Sequence, residues 1–302
     1  MGNILLLVFC LAAGILLRQT RRLPEATPSV LNGFIINIGL PATALAYLHK
    51  IEMDGALRYA ILAPWLMFIL GAIILWLACR AMALSRATTG CLILVGGLAN
   101  TSFVGIPMIE AFYGAEWMGV GVVMDQLGSY MVLAVLGIVV ARIFAAGPRP
   151  DPKEIIGRIL MFPPFVATIA ALAFMWIDYP EWVQVLLERL ASTVAPLALV
   201  SVGFQLRLSD VKGRLRPLAL GLAYNLVLGP LLVVAAFIWL LGERGMLMQV
   251  TVFEVAMAPM IGASIVAMEN DLDPQLATLL VGIGVPLSFL TVTGWYYLMA
   301  GV

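Results

Sequence analysis

The sequence predicts an all-α polytopic membrane protein with ten transmembrane helices, built as two inverted five-helix repeats. Hydrophobic residues make up 63% and charged residues 11% of the 302-residue chain, against about 45–50% and about 25% in soluble domains. Long apolar runs recur from end to end, and prolines interrupt them at matching places in the two halves. Too few polar residues remain to cover a soluble surface, so lipid is the solvent that suits this chain.

A helix needs roughly 20 residues to cross about 30 Å of hydrocarbon, and ten apolar runs in the chain are about that length. Arg18, Arg21 and Arg22 follow the first run instead of preceding it, which is the reverse of a secretory signal, so we expect a retained helix. The predicted spans are 3–18, 28–48, 56–79, 87–113, 117–146, 155–177, 182–206, 214–241, 246–269 and 274–299.

The distribution of basic residues supports this number of spans. With the N-terminus outside, thirteen Lys and Arg residues fall in the cytoplasmic loops and four in the outer loops. This positive-inside asymmetry predicts a cytoplasmic-membrane protein with both termini outside.

Other classes of protein fit poorly. The net charge of zero argues against a nucleic-acid-binding protein. Cys10, Cys79 and Cys91 form no CxxC or CxxxC pair, so we expect small buried hydrophobic side chains and neither a disulfide framework nor a structural zinc site.

The two halves of the chain resemble each other. We predict an N-terminal repeat over 1–146, a cytoplasmic linker over 147–154 and a C-terminal repeat over 155–302. Five spans per repeat is an odd number, so the second repeat must be inverted relative to the first. Inverted repeats with interrupted helices at corresponding positions are typical of secondary transporters.

Four prolines mark the corresponding positions. Pro41 and Pro196 interrupt spans two and seven, and Pro107 and Pro259 interrupt spans four and nine. Proline removes a helical N–H and clashes with the preceding turn. We therefore expect hinges at these positions, with spans four and nine broken near mid-bilayer and crossing there.

A crossing of broken helices offers polar backbone to solutes. The N-terminal ends of the second halves would present free amides to an anion, and the C-terminal ends of the first halves would present carbonyls to a cation. We expect the substrate to meet Asn100, Thr101, Ser102, Pro107, Pro259 and Met260.

Carboxylates also lie well inside the predicted spans. Asp125 and Glu254 each lie eight residues past the start of a span, which is about 12 Å along a helix, and Glu110 follows Pro107 closely. A charge at the bilayer centre costs at least about 2.5–3.5 kcal/mol, and no Lys or Arg lies at comparable depth in the three predicted spans that carry these carboxylates. We therefore expect a cation or a proton at Asp125 and Glu254, whereas Glu110 has the alternative of a solvated position in the outer vestibule.

The coupling ion has two candidates. Oxygen atoms of Asn100, Thr101, Asp125, Ser129 and Glu254 would suit Na⁺, a hard cation, or the carboxylates would accept protons. No cofactor is expected beyond this ion. Without a deeply placed Arg as a fixed clamp, one or two carboxylates suit the anion site better than three.

The segment Asn100–Pro107 (NTSFVGIP), with Tyr113-Gly114, resembles the signature of the auxin efflux carrier family. That family includes plant auxin exporters and bacterial permeases for malate and malonate. Asn32–Pro41 resembles its broken second helix, and Met257–Pro259, followed by Asp273–Ala277 and Trp295, resembles its last two helices.

The resemblance covers almost the whole chain and implies features of architecture, assembly and mechanism that composition alone does not indicate. It implies an X-shaped crossover, a scaffold of spans 1, 2, 6 and 7, and a mobile core of spans 3–5 and 8–10. It also implies homodimerisation through the scaffold and elevator-type alternating access. The family's crossover asparagine corresponds to Asn100, whereas Val252 and Phe253 occupy the equivalent place in the second repeat.

The bile acid:sodium symporters are similar in broad architecture. They bind sodium through an Asn/Ser pair before the span-four break and a Glu before the span-nine break, and Asn100, Thr101 and Glu254 occupy analogous places. This likeness is one of fold and is weaker evidence than a motif.

Together these features predict a Na⁺- or H⁺-coupled transporter of small organic anions in a bacterial cytoplasmic membrane. An intramembrane aspartyl protease is disfavoured, because Val122-Val123-Met124 precedes Asp125 where a Gly-x-Gly motif would be needed. A channel, a receptor-like membrane protein and an uncoupled uniporter or exporter remain alternatives.

Overall fold

The computed structural model describes residues 2–48, 55, 57–145, 157, 160–174, 176–205 and 213–302. Within these ranges the secondary structure is helical, and β-type pairing is limited to one isolated antiparallel bridge between Ala99 and Pro259. The predicted all-α class is confirmed. The predicted linker at 147–154 lies outside the described residues.

The helices follow the apolar runs closely. They are α1 Gly2–Gln19, α2 Thr27–Tyr47, α3 Leu57–Ala81, α4 Arg86–Gly96, α5 Thr101–Phe112, α6 Ala115–Phe144, α7 Pro163–Ala173, α8 Glu181–Ala191, α9 Val194–Gln205, α10 Leu215–Leu240, α11 Met246–Val255, α12 Ile261–Glu269 and α13 Pro274–Met299. In the described part of the chain, six runs are long and apolar enough to cross a membrane, namely α2, α3, α6, α8 with α9, α10 and α13.

Turns of π-helix accommodate two of the four prolines, so the helices do not break at those two positions as expected. In α2 the π turn Ile35–Gly39 places the Leu40 N–H on the Ile35 carbonyl, so the helix continues through Pro41. In α5 the π turn Thr101–Gly105 accommodates Pro107 in the same way. The expectations of a broken second helix at Pro41 and of a break at Pro107 are therefore wrong.

The other two prolines do accompany interruptions of the helices. Pro196 lies in the first turn of α9, after a turn at Ser192-Thr193, a place where the missing N–H costs little. Pro259 lies in the unwound segment 256–260 between α11 and α12. Span four unwinds at 98–100, ahead of the π turn that precedes Pro107.

Two sets of helices pack among themselves. In one set, α9 packs against α1 and α2, and α7 and α8 pack against α2. Gly14 and Gly203 let α1 and α9 approach closely, since a Cβ on Gly14 would lie 2.9 Å from the Phe204 nitrogen. In the other set, α3 packs against α6, α10 and α11, and α13 packs against α10, α11 and α12.

Asp273 ties three helices of the second set together at one end. It caps α13, accepting from the Leu276 N–H, and it accepts a 2.8 Å hydrogen bond from the Thr88 hydroxyl of α4. Its carboxylate also pairs with Arg214 at the start of α10. Cys10, Cys79 and Cys91 are buried free thiols, in agreement with their expected packing role.

Candidate functional site

The unwound segments of the two broken helices pair with each other in the interior. The Asn100 N–H donates to the Ala258 carbonyl at 2.7 Å, and the Met260 N–H donates to the Leu98 carbonyl at 3.0 Å. These two bonds flank the Ala99–Pro259 bridge. Each segment thus satisfies backbone groups that the other leaves open, which is the condition for unwound chain at membrane depth.

Asn100 begins the second half of its broken helix. Its Oδ1 caps α5 by accepting from the Phe103 N–H at 3.1 Å, so Asn100, Thr101 and Ser102 open α5 rather than close the first half as expected. The side chain is 1% exposed, and its Nδ2 has no partner among the described residues. A buried amide donor is therefore left available beside the crossing.

The second broken helix also directs its N-terminus at the crossing. α12 begins at Ile261, and its N-cap residue Met260 supplies no capping side chain. The first amides of a helix have no intrahelical acceptor, so those of α12 remain for another acceptor. Together with Asn100 they form a region rich in hydrogen-bond donors and without a Lys or Arg among the described neighbours.

Asn225 of α10 holds the carbonyl end of α4. Its Nδ2 donates to the Gly96 carbonyl at 3.2 Å and to the Leu98 carbonyl at 3.1 Å. Asn225 and α4 lie far apart in the chain, in the predicted spans 214–241 and 87–113, so no sequence pattern indicated this contact.

Asp125 of α6 is buried and satisfied by three donors. Thr101 and Ser102 donate to Oδ1, the latter at 2.5 Å, and the Gln126 amide donates to Oδ2 at 2.5 Å. Asp125 is 1% exposed. The expected meeting of Asp125 with the start of α5 is therefore found, and Gln126 is an addition that sequence reasoning did not place there.

Glu254 of α11 is buried without any such donors. It is fully buried, and neither carboxyl oxygen has a hydrogen-bond partner among the described residues. Its carboxyl lies against Gly105 of α5, where an added Cβ would lie 2.5 Å from Oε2. Only glycine leaves room for the carboxyl here. A buried carboxylate without partners is strongly disfavoured unless a proton or cation neutralises it.

The remaining predicted residues divide between the interior and the periphery of the site. Ser129 is buried, but its hydroxyl has no partner among the described residues and does not bond Asp125. Pro107 lies within α5, beyond the π turn, so it is not part of the crossing itself. Glu110 is partly exposed, in keeping with a solvated position.

No cluster of three or more His, Cys, Asp or Glu suited to a metal ion occurs within the described ranges. The oxygen atoms around Asp125 are the best match to the expected Na⁺ site. Gln126 Oε1 and Ser129 Oγ are buried and unpartnered in the described structure, so polar oxygen atoms suited to a hard cation are present in this part of α6.

Comparisons with known proteins agree with the motif resemblance. The chain matches the model of a family described as membrane transport protein over residues 1–146 and 152–296. An uncharacterized transporter of Methanothermobacter thermautotrophicus is 25% identical over 286 residues, or 93% of this chain and 92% of the relative. An uncharacterized transporter of Methanocaldococcus jannaschii is 26% identical over 193 residues, or 61% of each chain. This multi-pass chain therefore belongs to the membrane transport protein family, whose members are transporters rather than enzymes.

Proposed function

We propose that this protein is a secondary active transporter of small organic anions in the cytoplasmic membrane, coupled to Na⁺ or H⁺. The observation that carries the proposal is the crossing of two broken helices beside two buried carboxyl groups. Broken helices that meet in the interior are where transporters bind solutes and coupling ions.

The anion is expected at the donor-rich side of the crossing. The unpartnered Asn100 Nδ2 and the first amides of α12 supply hydrogen bonds and a positive helix end. Because no fixed guanidinium stands among the described residues there, monocarboxylates and dicarboxylates fit better than more highly charged anions.

The coupling ion is expected at the carboxyl groups. Asp125, with Thr101, Ser102, Gln126 and Ser129, offers oxygen ligands for Na⁺, which would bring one positive charge to a buried carboxylate. Glu254 lacks donors and is suited to carry a proton or to share a cation. Either arrangement neutralises charge that would otherwise be costly at this depth.

The architecture that serves this function is the ten-span inverted repeat. The two broken helices, α4–α5 and α11–α12, stand at the positions that the repeat assigns to spans four and nine. α1, α2 and α7–α9 pack closely among themselves and meet the other helices through α5 and α6, an arrangement compatible with a scaffold and a mobile elevator core. We expect a homodimer through the scaffold and both termini outside.

Substrate binding is tested by a thermal-shift screen of monocarboxylates and dicarboxylates with and without sodium. We expect at least one carboxylate to stabilise the detergent-purified protein and Asn100→Ala to abolish that shift. Asn270→Ala is the matched control, because Asn270 bonds only its own helix, at the Val266 carbonyl. An Asn100→Ala protein with unchanged affinity would contradict the anion site.

Coupling is tested by uptake into proteoliposomes under imposed ion gradients. Saturable uptake driven uphill by one gradient distinguishes a carrier from a channel. Glu254→Gln should retain substrate exchange but lose the dependence on that gradient. If Glu254→Gln responds to every gradient as the wild type does, the assignment of Glu254 to coupling is wrong, whereas wild-type uptake that no ion gradient drives would favour an uncoupled uniporter.

A further inference from the structure

The break in span four is held on both sides by side chains that lie in π turns of neighbouring helices. On one side, Asn225 donates to the last carbonyls of α4, and it is the second residue of the π turn Tyr224–Leu228 in α10. On the other side, Thr101 at the start of α5 donates to Asp125, the second residue of the π turn Met124–Ser129 in α6. Both ends of the break therefore depend on where a π turn places a polar side chain.

A π turn inside a membrane needs an additional hydrogen-bond donor. It contains one residue more than an α-helical turn, so a carbonyl near it loses its usual N–H partner. In α10 the carbonyl of Leu226 would normally accept from the N–H of residue 230, but that residue is Pro230, which has none. A buried carbonyl without a donor is costly, and hydrocarbon supplies no water to replace it.

Two indole N–H groups supply the missing donors. Trp295 Nε1 of α13 donates to the Leu226 carbonyl at 2.9 Å, and Trp65 Nε1 of α3 donates to the Leu127 carbonyl at 3.2 Å. Each carbonyl lies within two residues of the polar side chain that its π turn carries. One tryptophan and its carbonyl lie in each half of the chain, so the two contacts can be perturbed separately.

We propose that Trp65 and Trp295 are positioning residues of the candidate site. Each indole fixes the shape of one π turn, and thereby the direction of the polar side chain that holds one end of the break. Trp65 acts through Asp125, and Trp295 acts through Asn225. The inference rests on the proposed function, because the site that these tryptophans position is the one proposed to bind the anion and the coupling ion.

Close packing brings Trp65 to its carbonyl. Gly128 of α6 lies against α3, where an added Cβ would lie 2.7 Å from Pro64 Cγ and 3.3 Å from the Ile61 carbonyl oxygen. Gly128 and Pro64 are the chain neighbours of Leu127 and Trp65, the two residues that the hydrogen bond joins. The glycine therefore allows the two helices to approach at the place where the indole must reach the π turn.

Hydrogen–deuterium exchange of the detergent-purified protein tests the two bonds without any substrate. Trp65→Phe and Trp295→Phe each keep an aromatic ring but remove the N–H. We expect Trp65→Phe to speed amide exchange about three- to twentyfold in and just after the π turn of α6, with α10 unchanged, and Trp295→Phe to do the converse. Trp239→Phe is the matched control, because this exposed indole of α10 donates no hydrogen bond within the described residues, and it should change neither turn. Equal acceleration in both turns, or in neither, would overturn the proposal.

Malonate and the driving ion test whether the turns position the site. Trp295→Phe should weaken malonate binding in the thermal-shift assay about three- to twentyfold. Trp65→Phe should change malonate affinity less than about twofold but reduce the ratio of ion-driven to passive uptake by at least about threefold. A protein that merely lost stability would not separate these two responses.

Double variants link each tryptophan to its polar side chain. The fall in melting temperature caused by Trp295→Phe should largely disappear in an Asn225→Leu protein, and that caused by Trp65→Phe in an Asp125→Asn protein. Additive falls in melting temperature would indicate a merely structural role and overturn the positioning claim. A protein that binds no carboxylate and responds to no ion gradient would refute the proposed function, and the exchange pattern with these double variants would then decide the positioning claim.

Discussion

Gly105→Ala tests whether Glu254 is held against α5 in the way the structure shows. The added Cβ would lie 2.5 Å from Glu254 Oε2, whereas ordinary van der Waals contact begins near 3.4 Å. Oε1 would lie closer still, so the carboxyl or the helix must move by at least about 0.9 Å, within a packed interior that resists such shifts.

The expected cost follows from two opposing effects. Alanine in a helix is favoured over glycine by about 0.5–1 kcal/mol, and overpacking a well-packed site costs about 1–3 kcal/mol. We expect a net destabilisation of about 0.5–2 kcal/mol, or roughly 1–4 °C in melting temperature for a chain of this size. Because misplacement by about 1 Å can reduce activity about 100-fold, ion-driven uptake should fall by at least about tenfold.

The assay combines thermal unfolding in detergent with proteoliposome uptake. Gly294→Ala is the matched control, since an added Cβ there meets no atom within 4 Å and should be neutral or mildly stabilising. In a Glu254→Ala background the penalty of Gly105→Ala should disappear, as expected for two groups in direct contact. A Gly105→Ala protein as stable as Gly294→Ala and with normal ion dependence would refute the placement of Glu254.

Three further predictions concern other contacts. Thr101→Val removes one of the three donors to Asp125 and should lower the free energy of unfolding by about 0.6–3 kcal/mol. The melting temperature should fall accordingly, and an unchanged melting temperature would contradict this hydrogen bond. Asn225→Leu removes the side-chain hydrogen bonds to the last carbonyls of α4 and should weaken carboxylate binding in the thermal-shift screen. A variant that binds carboxylates as tightly as the wild type would exclude a positioning role for Asn225. Asp273→Ala loses a helix cap, an ion pair and a hydroxyl bond and should cost about 1–3 kcal/mol more than Asp271→Ala. Asp271 is an exposed residue with the same left-handed backbone, so it controls for the strain of placing Ala there. Similar melting temperatures for the two variants would be the contrary result.

Composition and apolar runs predicted where helices lie, and among the described residues six of the ten predicted spans are helices long and apolar enough to cross a membrane. The run 274–299 coincides with α13, and the run 56–79 differs from α3 by only a few residues at its ends. Hydrophobic length is a local property, so each run could be assessed without its neighbours. The inverted pairing of the halves depends on tertiary arrangement and stays a proposal.

Proline was a less accurate guide to where the helices break. Pro41 and Pro107 each follow a π turn that removes the clash, so the backbone near them stays helical. The span-four break falls instead just before Asn100, whose side chain can cap the new helix. A π turn depends on packing along the whole helix and carries no simple residue signature, so sequence reasoning could not anticipate it.

The structure brings several of the predicted site residues together, but their hydrogen bonds are distributed differently from the expectation. Sequence reasoning placed Asp125 and Glu254 in one shared cation site, yet in the structure the donors gather at Asp125 and none reaches Glu254. Gln126 was not assigned to the site, and adjacent residues on a regular α-helix do not face the same way. The π turn Met124–Ser129 alters that local geometry.

The central claim is that the anion docks where the broken helices meet. An experimental density map of the protein with bound malonate tests it most directly. We expect carboxylate density within hydrogen-bonding distance of Asn100 Nδ2 and the first amides of α12, between the paired segments 98–100 and 256–260. Continuous helix through either segment, or malonate bound elsewhere with the crossing closed, would contradict the account.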